Sequence, residues 1–313
     1  MTKISNSKSE ENKMQKFITT FLLIVLSSLS AVAHGDGSHD ENTRDVVVKV
    51  TKVNGNVYML QGRGGNVGAI TGADGILIVD DDYKAVGAKL SEALKELGSA
   101  TPRFIFNTHW HADHTENNLL FGKDSIIIAQ TNVRKRLSQI NTVFGQAVQP
   151  YPSFGWPMVT YDESITIHFD DDDISAVHYP NGHTDGDSVI FFTKANVVHL
   201  GDDFFAGRFP FVDLDNGGSV QGMINNVAAL LKQIPADAKI IPGHGPLSTI
   251  DDLKMYHQTL SETAKIVQDA MKKKKTLDEI KMAGLPDKYK AFGSGFIKTD
   301  LWIETVYKSY SKK

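Results

Sequence analysis

No cysteine occurs among the 313 residues. That absence excludes disulfides, thiolate metal ligands and a cysteine nucleophile, so stability rests on a packed core and any metal must be held by nitrogen and oxygen. Positive charge is also scarce: 33 Lys and Arg stand against 37 Asp and Glu, a formal net charge of −4. No arginine-rich stripe or basic–aromatic interleaving is present, which excludes nucleic acid as an expected partner. The one basic run, Lys272 to Lys275, reads as the solvated end of a helix. The apolar fraction, 41%, is enough for a core.

Long apolar runs are limited to one, "FITTFLLIVLSSLSAVA" over 17–33. It follows a polar start carrying Lys3, Lys8, Lys13 and Lys16 and ends in the small-residue triplet Ala31-Val32-Ala33. Basic, apolar and small-residue regions in that order form an export signal, and the run is short for a membrane span. The expected organisation is a signal peptide over 1–33, a flexible lead-in over 34–45 and one domain over 46–313. Cleavage after Ala33 removes four lysines and two glutamates, taking the net charge to about −6. The mature chain is expected in the periplasm or outside the cell, with no stable membrane span. His34 and His39 fall in the lead-in, which has no periodicity and reads as a disordered tail.

From Val46 the pattern changes. "VVVKVTKV", "VYMLQG", "NVGAITG" and "GILIVDDD" are β-rich pieces separated by Gly, Asn and Asp, the pattern of consecutive antiparallel strands. Val86, Leu90, Leu94 and Leu97 then recur at helical spacing. "RFIFN" and "SIIIAQ" read as strands and "TNVRKRLSQI" as a helix. The segment 141–164, with three prolines and several aromatics, reads as a long loop of the kind that lines pockets. Strand patterns resume in "SITIHF", "DISAVHYP", "DSVIFF" and "NVVHL", followed by a helix near 218–234, a strand in "AKIIPGHG", a long amphipathic helix and a final one at "TDLWIETVYKSYSK". Strands followed by a helix thus occur over 46–98 and again over 164–232. A duplicated α/β/β/α arrangement and another α+β sandwich both fit that order.

Of the 11 histidines, three fall within "HWHADH": His109, His111 and His114, with Asp113 among them. The cluster starts where strand "RFIFN" ends, a place where α/β sheets build sites. Burying such groups without partners costs several kcal/mol, about 2–7 per polar group, and exposing them needs no such order. A metal resolves the conflict, and zinc suits imidazole and carboxylate donors while leaving room for water. His183 in "NGHTDGD", Asp202 in "LGDDFF" and His244 in "IPGHG" are likewise delivered just past apolar strands and held by glycine. Together these residues outnumber the needs of one ion.

In these residues the chain resembles the metallo-beta-lactamase superfamily. The His-x-His-x-Asp-His signature stands at His109, His111, Asp113 and His114, and "GHTDGD", "LGDDFF" and "IPGHG" are similar to the family's remaining metal motifs in the same order. The resemblance covers roughly 50–247. It implies a four-layer αβ/βα sandwich within the α+β class and two zinc ions per chain. By the same resemblance, His109, His111 and His183 bind the first zinc, Asp113, His114 and His244 bind the second, and Asp202 bridges them as in the hydroxyacylglutathione hydrolase branch. Asp80 is similar to the family's strand-end acid, which orients a ligand histidine through its free nitrogen. One lactamase subclass carries a cysteine that this chain lacks, and flavodiiron relatives carry glutamate where His111 stands.

The implied chemistry is hydrolysis of a small acyl substrate, an ester, lactone or amide that includes β-lactams, by a water activated between the zinc ions, with Asp113 orienting it or taking its proton. A glyoxalase II-like thioesterase is the enzyme alternative, followed by a mononuclear iron sulfur or persulfide dioxygenase. The substrate pocket is expected to be bordered by the "GGNVGA" stretch at Asn66 and Val67, by Phe154 and Trp156, and by Arg208 as a cation for a substrate carboxylate. Asp81 and Asp82 read as solvated turn residues, Trp110 as packing under the loop, and His168, His178, His199 and His257 as structural or exposed. Thr108 and Asp185 lie near the motifs without a defined role. The sequence leaves the oligomeric state open.

Overall fold

The computed structural model describes residues 46–311, which lie in one compact unit, Asn42–Lys313. The expected signal peptide and lead-in fall outside the described residues. Seven strands form the first sheet: β1 (Lys49–Asn54), β2 (Val57–Gln61), β3 (Val67–Gly72), β4 (Gly75–Val79), β5 (Phe104–Asn107), β6 (Ile126–Gln130) and β9 (Val159–Tyr161), paired in that order. β1 to β4 are antiparallel, whereas β4, β5, β6 and β9 run parallel. The second sheet pairs β10 (Ser164–Phe169), β11 (Asp172–His178), β12 (Ser188–Phe192), β13 (Val197–His199) and β14 (Lys239–Ile241), with only β13–β14 parallel.

Two-residue periodicity divides the strand side chains between layers. Leu77 and Val79 of β4 and Phe106 of β5 point to the same core as Ile190 and Phe192 of β12 and Ile241 of β14, so the two sheets pack face to face. The alternate residues Ile76, Ile78 and Ile105 point outward onto Leu90 and Leu94 of helix α1 (Gly87–Glu96). Val198 and Ile240 likewise face a helical layer of α5 (Val220–Gln233), α6 (Ile250–Lys272) and α8 (Thr299–Ser311). The architecture is therefore an α+β four-layer αβ/βα sandwich. Removing a side chain as deeply buried as Leu77, at 0% exposure, costs about 2–5 kcal/mol.

Three short helices fill the first half: α2 (Ala112–Thr115), α3 (Asn118–Phe121) and α4 (Thr131–Leu137). Helix α6 starts at a capping box, in which Thr249 and Asp252 satisfy each other's backbone N–H, and ends in the exposed lysines 272–275. A further helix, α7 (Leu277–Ala283), precedes α8. The expected long loop over 141–164 is more ordered than its composition suggests. It contains the hairpin β7 (Asn141–Val143) and β8 (Gln146–Val148) and supplies β9. Three-residue strands give too little alternation to show as a period, which is why the pattern reads as loop.

Candidate metal centre

The predicted ligands leave the carboxyl ends of the strands. β4 delivers Asp80, β5 delivers Thr108 and His109, α2 holds Asp113 and His114, β13 leads to Asp202, β14 leads to His244, and the β11–β12 connection carries His183. Both sheets present parallel pairs here, so several chain ends converge on one edge. Among the described residues three overlapping groups result: His109, His111 and His183; His109, His114 and Asp202; and Asp113, His114 and His244. Within each group the donor atoms lie within 4.8 Å of one another.

Asp202 stands between the groups. Its Oδ2 is 3.8 Å from Nε2 of His109 and 3.4 Å from Nε2 of His183, while its Oδ1 is 3.2 Å from Nε2 of His114 and 3.5 Å from Nε2 of His244. Asp113 Oδ2 lies 3.2 Å from His244 Nε2 and 3.7 Å from His114 Nε2.

Hydrogen bonds on the far side of each ring fix which nitrogen is bare. His183 donates from Nδ1 to the Phe211 carbonyl at 2.8 Å. His111 donates from Nε2 to Asp213 Oδ2, also at 2.8 Å, and that carboxylate is held in turn by Nδ2 of Asn216. The remaining nitrogens, His111 Nδ1 and His183 Nε2, then face each other at 2.8 Å, a spacing that a shared proton bridges and that a metal ion bound by both would also occupy.

Asp80 serves both sides of the site. Its Oδ2 accepts from His114 Nδ1 at 2.7 Å and from the Thr108 hydroxyl at 2.8 Å, and Oδ1 accepts from Thr108 N at 2.7 Å. With the hydroxyl proton committed, Thr108 Oγ1 takes the Nδ1 proton of His109, 3.1 Å away. That leaves His109 Nε2 bare, buried and without a hydrogen-bond partner among the described residues, and Asp202 Oδ1 is in the same condition. Two orphaned donors, both aimed into a cluster of nitrogen and oxygen, fit a bound divalent metal.

Electrostatics differ between the groups. Burial holds His109 well below the usual imidazole range and pulls His183 down to about 4, so both are neutral at pH 7. Burial works against the charged form of His244 as well, but Asp202 and Asp113 outweigh it and raise its pKa to about 9. His114 is raised by Asp202, Asp113 and Asp80 against the same burial. The Asp202 carboxyl, despite burial, is held well below its usual value by His114, His244 and His183, and Asp113 falls to about 2 for related reasons.

Glycines make room for these rings. A Cβ on Gly65 would sit 2.1 Å from Cε1 of His114, and the ring cannot retreat because Asp80 holds its other edge. Gly65→Ala is expected to displace His114, remove about one equivalent of bound metal and cost about 100-fold in activity, the size of effect seen when a ligand's support is lost. Metal analysis of the folded variant checks this; unchanged stoichiometry would refute it.

Several expectations for the surroundings are corrected. Asn66 does not offer its amide to a substrate: it is buried and donates to the carbonyls of Pro242 and Gly245, tying the β2–β3 loop to the turn that carries His244. Val67, beside it, is core. Phe154 and Trp156 line a cavity of about 330 Å³ that contains none of the predicted ligands, with Lys123 over one ring and Arg134 over the other. Asp81 and Asp82 are buried rather than solvated. Asp81 accepts from Asn117 N, and Asp82 from the backbone of Arg63, Gly64 and Tyr83, which shapes the loop pressing on His114.

Arg208 is half-buried with its stem against Gly295, and no ion pair involves it among the described residues. Trp110 packs on Ala129, Val133 and Leu137. Asp185 pairs with Arg136 at 2.6 Å, and His199 is enclosed between Asn66 O and Gly201 N. Asp213 and Asn216 escaped sequence reading. The only signal was an acid in "VDLDNGG", with nothing to link it to a histidine 102 residues away.

A sandwich of this topology with a histidine–aspartate cluster at its strand ends defines the class of metal-dependent hydrolase folds. The family model of the metallo-beta-lactamase superfamily matches residues 50–245, and the chain belongs to that superfamily. Among solved structures it is similar to the DIM-1 metallo-beta-lactamase, with 19% identity and a TM-score of 0.58 over 70% of this chain and 100% of that one. It is also similar to a stereoselective inverting sec-alkylsulfatase, Pisa1 from Pseudomonas sp., with 13% identity and a TM-score of 0.63 over 84% of this chain but only 50% of that one. A metallo-beta-lactamase from Pontibacter korlensis matches at 14% identity and a TM-score of 0.56, over 68% and 99% of the two chains. These likenesses are of fold. No curated protein matches the sequence.

Proposed function

We propose that the protein is a dinuclear zinc hydrolase acting on a small acyl substrate: an ester, lactone or amide, β-lactams included. The observation that carries this reading is Asp202, whose two oxygens face two different sets of donors. On this reading His109, His111 and His183 hold one zinc, Asp113, His114 and His244 the other, with Asp202 shared. Bound zinc supplies a water that ionises near neutral pH and polarises the carbonyl under attack.

The chain's own residues do the rest. The hydrogen bonds from His183 to Phe211 O, His111 to Asp213 and His114 to Asp80 keep the donor nitrogens free and correctly aimed. The side chains of Asp113 and His244 are 20% and 19% exposed, whereas those of His109, His114 and His183 are at most 1% exposed. Substrate therefore meets the Asp113–His244 edge first. There the Asp113 carboxylate, ionised far below neutrality, orients the attacking water by accepting its hydrogen bond.

The test is a panel of β-lactams, lactones, oxygen esters, thioesters, phosphodiesters and alkyl sulfates with zinc-loaded protein. Selective thioester turnover would favour the glyoxalase II-like alternative. One tightly bound iron with oxygen consumption would favour the dioxygenase, and absence of hydrolysis across the panel would overturn the proposal.

The unequal protonation of the two groups gives a pH signature. His244, raised to about 9, carries a proton at pH 7 that zinc must displace, whereas His183, lowered to about 4, does not. His114 of the same group is raised as well, so second-site affinity is expected to rise by at least about tenfold per pH unit up to about pH 9, with first-site affinity flatter over the same range. Calorimetry in buffers of differing ionisation enthalpy reads the proton release directly. Equal release at both sites would contradict the assignment.

Export is the second part of the proposal. The basic, apolar and small-residue order of 1–33 supports cleavage after Ala33 and a mature domain outside the cytoplasm. N-terminal sequencing of the native protein should begin at His34. An intact soluble chain starting at Met1 in the cytosol would refute it.

A further inference from the structure

Three phenylalanines from distant parts of the chain form a column that runs outward from the first histidine group. Phe211, whose carbonyl holds His183, has its ring centroid 5.5 Å from that of His111 and 5.7 Å from that of His183. Phe144 stacks on Phe211 at 4.3 Å with an interplanar angle of 26°. Phe296 closes on Phe144 edge-on at 5.9 Å. The two outer rings are 53% and 75% exposed.

Solvent exposure of stacked rings is unfavourable, and the chain takes trouble to maintain it. Phe144 and Gly145 are the two turn residues between β7 and β8, and both have positive φ, +50° and +75°. Asn or Gly fills the first of those positions with least strain. A bulky aromatic there keeps the turn only at a conformational cost, and it puts the ring on Phe211. The column also starts at the right histidine. His111 is 7% exposed, against 1% for His109 and 0% for His183, so the rings flank the accessible edge of that group.

We propose that Phe144, Phe211 and Phe296 form the subsite for an aryl group carried by the substrate next to its scissile carbonyl. This inference rests on the hydrolase reading for the position of the carbonyl but not for the stacking itself. A planar aryl group makes offset-stacked or edge contacts with such rings, whereas a short alkyl group gains little from them. Because the column ends in solvent, it selects the nature of the group without limiting its length.

The test compares acetohydroxamate with phenylacetohydroxamate, two zinc-binding probes that differ only in the aryl group, by calorimetry on the zinc-loaded full-length protein. Wild type is expected to prefer the aryl probe by about tenfold or more, the increment for one well-packed aromatic contact. Phe144→Ala and Phe296→Ala, alone and combined, should abolish that preference while leaving acetohydroxamate affinity within about twofold, since neither residue touches a proposed ligand. Preference that survives the double substitution overturns the proposal, as does equal loss of both probes. Failure of acetohydroxamate to bind wild type would count against the zinc reading alone. In that case an NMR titration of metal-free protein with phenylacetate decides the subsite: shifts of the Phe144 and Phe296 ring signals, identified by their loss in the variants, support it, and their absence refutes it. Sedimentation of wild type and double variant decides against a competing occupant, because a dimer lost on substitution would assign the rings to a second copy of the chain.

Discussion

Asp202→Asn is expected to lower turnover by about 1,000-fold, the upper end for loss of one preorganised charged group at a reacting centre, and to leave about one zinc per chain. The carboxylate is buried, carries its charge between four imidazoles and offers one oxygen to each donor set. An asparagine keeps the volume but presents only one oxygen, and its amide hydrogens point at bare nitrogens or a cation. The control is Asp82→Asn. Asp82 is also buried, but its partners are the backbone N–H groups of Arg63, Gly64 and Tyr83, so the change disturbs the loop over His114 and removes no proposed ligand. A loss of no more than about tenfold, the cost of one hydrogen bond, is expected there. Zinc analysis and steady-state rates on both variants check the contrast. Two retained zinc ions in Asp202→Asn would remove the bridging role.

The ease with which these residues could be found in the sequence follows from how the chain delivers them. His109, His111, Asp113 and His114 fall within six residues, and the strand that feeds them is short and apolar up to its last residue, Asn107, so their convergence is local. His183, Asp202 and His244 are far apart in sequence but share one local sign, an apolar strand followed by glycine and then a ligand-type side chain. Sheet topology then brings such positions together, because parallel neighbours end on the same edge. The layers were legible in part: the nearly unbroken apolar runs of β4 and β12 mark strands buried on both faces, but the order of elements fits two sandwich arrangements, and the family resemblance selected the four-layer one.

What escaped is what depends on side-chain direction within irregular segments. Asn66 between glycines had the look of a pocket donor, yet both amide hydrogens are committed to Pro242 and Gly245, whose carbonyls lie nearly 180 residues ahead. Phe154 and Trp156 were legible as a cluster of aromatics but not as facing Lys123 and Arg134, since a single 3-10 turn sets their direction. The Asp81–Asp82 pair illustrates the same limit with the opposite error. Consecutive acids after a strand usually meet water, but positive φ at Asp80 and Asp82 folds the chain back so that Asp82 accepts from backbone N–H groups of the β2–β3 loop and Asp81 from Asn117 N. Asp213 belongs with these, because it reaches His111 through a turn closed by Asn216 rather than through any strand.

Asp113→Ala is expected to reduce turnover by at least about 100-fold even at saturating zinc, the low end for loss of a group that positions the nucleophile. The residue lies at the exposed edge of the cluster, with Oδ2 3.2 Å from His244 Nε2, and remains ionised across the physiological range because His114 and His244 offset its burial. Alanine removes both an oxygen donor of the second group and the hydrogen-bond acceptor that orients the water. His114→Ala separates these two roles. It takes a nitrogen from the same group and frees the Asp80 oxygen that held it, but leaves Asp113 in place. Its second site should therefore load only at higher zinc, and added zinc should restore part of its rate. Titrating both variants with zinc, using the best substrate from the panel, distinguishes them: His114→Ala activity climbs with zinc, while Asp113→Ala reaches a low plateau once its metal content stops rising. Near-normal turnover by folded Asp113→Ala would remove the carboxylate from the mechanism while leaving the shared position of Asp202 intact. The reverse pattern, with His114→Ala beyond rescue, would instead place the water-orienting function on the imidazole and its Asp80 support.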